Sequence, residues 1–169
     1  MVYALTKRYD FSSERQCMSV IAQSEKTGGK YAFTKGAPEK IKEICVKHSM
    51  TSDFDELVNY FSNEGYRIIA FSYKDLSSES SQTLARMERD AVESNQTLLG
   101  FALFENPLKP DAFNTISELN RIKIRNVMVT GDNYLTAASV ARKVGIIGPD
   151  DNIAFLKMQR NSGIIEIEL

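Results

Sequence analysis

The stretch from Met18 to Glu39 constrains the fold more than any other part of the chain. Met18 to Gln23 and Tyr31 to Lys35 are strand-forming runs, and the turn between them, Glu25 to Lys30, contains the pair Gly28-Gly29, which tolerates positive φ. Together they predict an antiparallel hairpin. Directly behind it comes Gly36-Ala37-Pro38-Glu39. Pro38 suits the first turn of a helix and Glu39 is favourable at a helix N-terminus, so a helix is expected to about His48. A hairpin that passes at once into a helix points to a mixed α/β (α+β) domain built on an antiparallel sheet.

Further along, Thr51, Ser52 and Asp53 offer caps for a second helix, in which Phe54, Leu57, Val58 and Phe61 recur at helical spacing before a stop at Gly65. Arg67 to Tyr73 reads as a strand, Leu84 to Glu93 as a helix, and Leu98 to Phe104 as a buried strand. Two prolines near Glu105 to Pro110 interrupt the pattern and suggest a boundary. Beyond it, Pro110 to Ile122 is an amphipathic helix, Val127-Met128-Val129 a short buried strand, and Leu135 to Val144 another helix. Strand, tight turn and helix in that order suggest a parallel α/β unit. After Gly148 only Ile153 to Leu156 looks regular, and the tail over 158–169 is expected to be irregular.

Composition removes several classes of function. With 43% hydrophobic and 25% charged residues and a formal net charge of -1, the 169-residue chain has material for a core and no bulk charge for nucleic acid or anionic membrane. Cys17 and Cys45 are too few for a disulfide framework. With His48 as the sole histidine they also speak against a zinc site. The longest apolar run, Leu98 to Phe104, is far too short for a bilayer, so a soluble chain is expected.

The sharpest chemical signal is Thr130-Gly131-Asp132-Asn133, between a hydrophobic run and a helix. A hydroxyl and free amides at such a junction suit phosphoryl oxygens, and Gly131 permits close backbone approach. An ordinary strand-to-helix turn with Asp132 or Asn133 as N-cap fits the same residues. Thr34-Lys35-Gly36-Ala37-Pro38 likewise joins a strand to a helix and suits an anionic or purine ligand, although it lacks the Walker A spacing. Phe11-Ser12, with Arg15 close by, offers a ring for base stacking; taken alone, Phe11 reads as a core residue. Arg67 opens a strand and is able to reach a phosphate or sit in an ion pair. Asp53-Phe54-Asp55 has the spacing of a phosphatase nucleophile loop, but its polar leader reads as a capping cluster instead.

The order of these segments carries the next step. Phe11-Ser12, Met18-Ser19-Val20, Lys35-Gly36-Ala37-Pro38-Glu39, Gly65-Tyr66-Arg67-Ile68-Ile69-Ala70 and Val129-Thr130-Gly131-Asp132-Asn133 together resemble P-type ATPases up to about Ile147. Asn106-Pro107-Leu108-Lys109-Pro110 with Ile124 to Asn133 and Leu135-Thr136-Ala137 is similar to the fifth subfamily, whose endo-lysosomal branch includes polyamine exporters. Calcium and sodium pumps usually have Asp-Pro-Pro-Arg where this chain has Asn106-Pro107-Leu108-Lys109.

That resemblance implies a cytosolic fragment of a pump that couples ATP hydrolysis, through an aspartyl-phosphate and with Mg²⁺, to transport of a cation or polyamine. Residues 1–105 would be the later part of the nucleotide-binding domain, and 106–157 the start of a haloacid-dehalogenase-like phosphorylation domain. Phe11 and Ser12 would meet adenine, Lys35 and Gly36 would form the base of its pocket, and Arg67 would reach the phosphates. Thr130, Gly131 and Asp132 would face the γ-phosphate. Ser13 and Gln16 replace basic residues common in relatives, which implies a less positive pocket. The phosphorylated Asp-Lys-Thr-Gly-Thr and the Mg²⁺-holding Gly-Asp-Gly-x-Asn-Asp segments do not occur in this sequence, so the chain alone is expected not to complete the cycle. The expected partners are ATP and the remaining domains of the parent, at the cytosolic face of a membrane. A free-standing phosphatase using Asp53, and a non-enzymatic nucleotide-binding or scaffolding module, are the alternatives.

Overall fold

The computed structural model describes residues 2–158 and 165–168, which divide into two compact units. The first is built on residues up to Val58 together with Ile68–Phe104; the second on Asn59–Arg67 together with residues from Glu105 onward.

The first unit is a five-stranded sheet in the order β1-β2-β3-β4-β5, formed by Tyr3–Ser12, Cys17–Ser24, Lys30–Gly36, Arg67–Asp75 and Thr97–Phe104. The expected hairpin is β2 and β3, antiparallel from Cys17 opposite Gly36 to Gln23 opposite Lys30, with Gly28 in its turn at φ +71°. Helix α1 (Pro38–Ile44) begins with Pro38 in its first turn and Glu39 at its positive end. It ends earlier than expected, and a short 3-10 turn over Lys47–Ser49 contains His48. Helix α2 (Phe54–Asn63) follows, with Phe54 and Val58 buried.

Strand alternation gives the sheet two different faces. Cys17, Ser19 and Ile21 of β2 share one face with Thr34 and Ala32 of β3 and with Ala70 and Ser72 of β4. This face is buried. Ile21 and Ala32 pack against Leu76, Leu84 and Val92, while Ala70 packs against Ile41 and Ile44 of α1. The opposite face carries Met18, Val20, Phe33, Lys35, Phe71 and Tyr73, and none of them is fully buried.

The expected helix over Leu84 to Glu93 is two short ones, α3 (Ser81–Arg86) and α4 (Arg89–Val92), with extended Met87 between them. Tertiary bonding accounts for the break. The Met87 carbonyl accepts from Lys7 Nζ at 2.9 Å and from the Tyr9 hydroxyl of β1. Ser80 caps α3 by accepting the Thr83 amide at 3.1 Å. Strand β5 forms as expected but is not buried. It is an edge strand; Leu98 and Phe101 pack against the core, whereas Leu99 and Leu103, on the same strand, are exposed.

A buried polar network holds the packed face together. Ser19 donates to Glu93 Oε1 at 2.7 Å, Gln96 Nε2 donates to Thr34 Oγ1 at 2.7 Å, and Ser72 donates to Gln96 Oε1 at 2.5 Å. Ser19 and Thr34 lie 2.9 Å apart, and because the Ser19 hydroxyl donates its hydrogen bond to Glu93, Thr34 is the donor between them. Gln96 also donates to the Val92 carbonyl, while its backbone accepts from Val46 and donates to Ile44 at the exit of α1. No fully buried side-chain nitrogen or oxygen among the described residues lacks a partner.

The second unit contains α5 (Ala112–Arg121), α6 (Tyr134–Lys143) and a hairpin of β6 (Phe155–Met158) with β7 (Ile165–Glu168). That hairpin corrects the expectation of an irregular tail; residues 159–164 and 169 lie outside the described residues. Val127-Met128-Val129 is also corrected. It forms no strand, and Val127 and Val129 are 71% and 92% exposed. A strand exists only where a neighbour takes its backbone hydrogen bonds, and no described residue pairs with this segment.

Replacing Gln96 by Leu keeps the volume but strands the Ser72 hydroxyl and the Val92 carbonyl. We expect a loss of about 3 kcal/mol in urea unfolding, as for buried polar groups left unpaired. An unfolding midpoint equal to wild type contradicts the network's role.

Candidate functional site

Among the residues singled out by sequence, Phe11, Ser12, Lys35 and Gly36 come together at one end of the sheet. Ser12 pairs with Cys17, Cys17 with Gly36, and Gly36 with Ala70. Phe11 and Lys35 each lie one residue back along their strands, so alternation turns both to the open face, with Met18 and Phe71 flanking Lys35. Phe11 is 61% exposed, and its ring meets no other aromatic ring among the described residues. Lys35 is exposed, with no ion-pair or hydrogen-bond partner among the described residues. A bare ring and a free ammonium on one apolar face can take a planar base and a negative charge.

Gly36 has a structural reason for its identity. A Cβ there would sit 2.5 Å from the Gln16 carbonyl oxygen and 2.7 Å from Cys17 Cβ. Gln16, at φ +53°, also accepts the Ala37 amide at 3.0 Å, so the β1–β2 turn and the β3–α1 junction are bonded directly. Ser12 is spent locally: its backbone carbonyl accepts the Gln16 amide at 2.7 Å, and its hydroxyl faces the Arg15 amide at 3.4 Å.

Sequence reasoning missed the groups behind this turn. Arg89 of α4 donates Nε to Glu93 at 2.8 Å, Nη1 to the Asp10 carbonyl at 3.0 Å and Nη2 to the Cys17 carbonyl at 3.0 Å. Arg15 of the turn reaches Asp90 at 2.5 Å and Glu93 at 3.3 Å. Its hydrogen bond to Asp90, above all, raises the guanidinium pKa. The Glu93 side chain is only 2% exposed, and an ionised carboxylate there depends on these cations and on Ser19. The i,i+4 spacing of Arg89 and Glu93 was the available signal, although such pairs usually mark a solvated helix face.

The remaining candidates belong to the second unit. Thr130 donates to the Asp132 carboxylate at 3.0 Å and accepts the Asp132 amide at 3.1 Å. The Asp132 amide is thus taken within the loop. Asn133 caps α6 by accepting the Leu135 amide at 2.8 Å. Arg67 Nε lies 3.5 Å from Asp132 Oδ1. Gly131 has open space where a Cβ would point. Thr130 and Asp132 line a cavity of about 350 Å³ with Lys109, Met128 and Thr136. Thr136 was not anticipated; it is buried and donates to the Tyr66 carbonyl at 3.0 Å. Asp53 is exposed in the turn before α2, with no strand leading into it, so the phosphatase reading built on it fails.

The family described as "P-type ATPase, cytoplasmic domain N" matches residues 3–111. The chain belongs to the P-type ATPases. Relatives within the fifth subfamily include the vacuolar cation-transporting ATPase YPK9 of Saccharomyces cerevisiae, 41% identical over 143 residues, covering 85% of this chain and 10% of the relative. The probable cation-transporting ATPase 13A4 of Gallus gallus is 40% identical over 156 residues, with 92% and 13% covered. The polyamine-transporting ATPase 13A3 of Homo sapiens is 36% identical over 150 residues, with 88% and 12% covered. The chain thus spans about a tenth of the length of these P-type ATPases.

Cys17, wholly buried at this sheet end, has its thiol pKa raised, first by burial and then by the charge of Glu93. A raised folded value means that the thiol's contribution to stability is complete below the unfolded pKa and is lost as pH rises towards the folded one. Stability of the wild type should therefore fall as pH rises above the unfolded thiol value of about 8.5, and less steeply in Cys17→Ala. Urea midpoints across that range measure it; equal slopes in both proteins refute it.

Proposed function

We propose that the first unit docks the adenine of ATP on its open sheet face and that the second contributes the phosphoryl-site loop of the same pump. One observation carries this reading: Phe11 and Lys35 stand exposed and unpartnered at one sheet end, in a chain that belongs to the P-type ATPases. The base stacks on Phe11 beside Ser12, with Lys35 and the bare backbone at Gly36 closing the pocket. Lys35 and Arg67 neutralise charge on the nucleotide, and Thr130, Gly131 and Asp132 meet the γ-phosphate. Residues from Glu105 onward would begin a haloacid-dehalogenase-like domain, whose sheet requires strands beside Val127-Met128-Val129.

The whole protein, in this reading, is a translocase that hydrolyses ATP through an aspartyl-phosphate to move a cation or polyamine across a membrane. The chain lies on its cytosolic side and works with the pump's other domains. Relatives named as vacuolar and as polyamine-transporting support an endo-lysosomal membrane and that class of cargo. No three acidic, histidine or cysteine side chains converge among the described residues, so Mg²⁺ would be held mostly by the nucleotide phosphates and by groups outside this chain. The chain alone, without the Asp-Lys-Thr-Gly-Thr segment, is expected to bind ATP and not to turn it over.

Calorimetric titration of ATP into the chain tests the pocket. Phe11→Ala and Lys35→Ala should each weaken binding about tenfold, the scale of a lost stacking or charge contact. Equal affinity in wild type and both variants removes these residues from the site.

A further inference from the structure

Phe11 lies where the β1–β2 ladder is irregular. Pairing is in register at Tyr9 opposite Ser19 and resumes at Ser12 opposite Cys17, so Asp10 and Phe11 face the single residue Met18. Such a bulge re-aims a side chain and interrupts the ladder. Here the break is closed from outside. The Arg89 guanidinium donates to the Asp10 carbonyl on β1 and to the Cys17 carbonyl on β2, one on either side of the turn. Its third contact, from Nε to Glu93, fixes its plane, and Glu93 is held in turn by Ser19 and by Arg15 of the same turn. The two carbonyls that Arg89 grips immediately precede Phe11 and Met18 in the chain.

We propose that Arg89, oriented by Glu93, is a positioning residue for nucleotide selection: it sets the bulge that aims Phe11 across the open face towards the base. The proposal rests on the adenine-docking reading above. Only a planar, forked donor serves two carbonyls and a carboxylate at once, so lysine at this position keeps the charge and loses the geometry. Arg89 lies behind the sheet, bonded to Asp10, Cys17 and Glu93, on the side opposite Phe11 and Lys35. Its effect is therefore confined to the part of the affinity that comes from the base.

The experiment is a double-mutant cycle in the full chain, with Arg89→Lys, Phe11→Ala and the combination. Calorimetry is done with ATP and with inorganic tripolyphosphate, which has no base. We expect Arg89→Lys to weaken ATP about tenfold, to leave tripolyphosphate unchanged, and to add nothing once Phe11 is absent. Glu93→Gln, which keeps the shape and releases the guanidinium, should weaken ATP by about threefold with the same pattern, and serves if the lysine variant does not fold. Loss of ATP affinity that adds in full to Phe11→Ala, or equal loss for tripolyphosphate, overturns the proposal and leaves the adenine pocket standing. Indifference of ATP binding to Phe11→Ala itself overturns both.

Discussion

The side-chain amide of Gln96 is the junction on which the first unit depends. It accepts from Ser72 of β4 and donates to Thr34 of β3 and to the Val92 carbonyl at the end of α4. Its own backbone bridges the exit of α1. The apolar part of this core is modest, with Ile21, Ala32, Leu84 and Val92 at its centre. Hydrophobic burial sets how strongly such a sheet holds its helices, but it discriminates weakly between registers. Polar partners discriminate sharply. A slip of one residue in any of these strands would turn Ser19, Thr34 or Ser72 outward and take a buried partner from Glu93 or Gln96, at a cost of about 1–3 kcal/mol for each group left unpaired.

That register also decides what the other face displays. Because Cys17, Thr34 and Ala70 are packed inside, Met18, Lys35 and Phe71 are turned out, and the residues available to a ligand follow from those that are buried. Gly36 joins the two roles. Its missing Cβ allows the Gln16 carbonyl to approach, and this bonds the turn that bears Phe11 to the junction that bears Lys35. The open face is thus a consequence of internal packing.

What could be read from the sequence was what the chain decides locally. The glycine turn of the hairpin, the proline start of α1, and the helical spacing of Phe54 and Val58 are properties of neighbouring residues, and they held. Features that depend on distant partners did not. Leu99 looked buried, yet it lies on an edge strand; Val127 to Val129 looked like a strand, yet nothing described pairs with it. The helix over 84–93 breaks because Lys7 and Tyr9, far away in the chain, take the Met87 carbonyl. The same distinction holds at the candidate site. The order of the motifs revealed the family, whereas Arg89 carries no motif, and its partners Asp10 and Cys17 lie more than seventy residues away.

The two groups of candidate residues differ in how firmly they are held. Around Arg89 and Glu93 the charges are buried and bonded on several sides, so removing one partner strands another and costs about 3–5 kcal/mol. The Thr130–Asp132 loop is the reverse case. Its bonds are short-range and solvent-exposed, and the approach of Arg67 to Asp132, at 3.5 Å with the arginine 62% exposed, is worth no more than about 1 kcal/mol. A loop that satisfies itself so cheaply can release its hydroxyl and amide to a better acceptor, and a phosphoryl group is one. Firm packing suits recognition of a rigid aromatic base, and weak internal bonding suits a group whose charge and geometry change during transfer. In the proposed function, the buried ion pairs behind the sheet would serve the first, and the glycine between two short polar side chains the second.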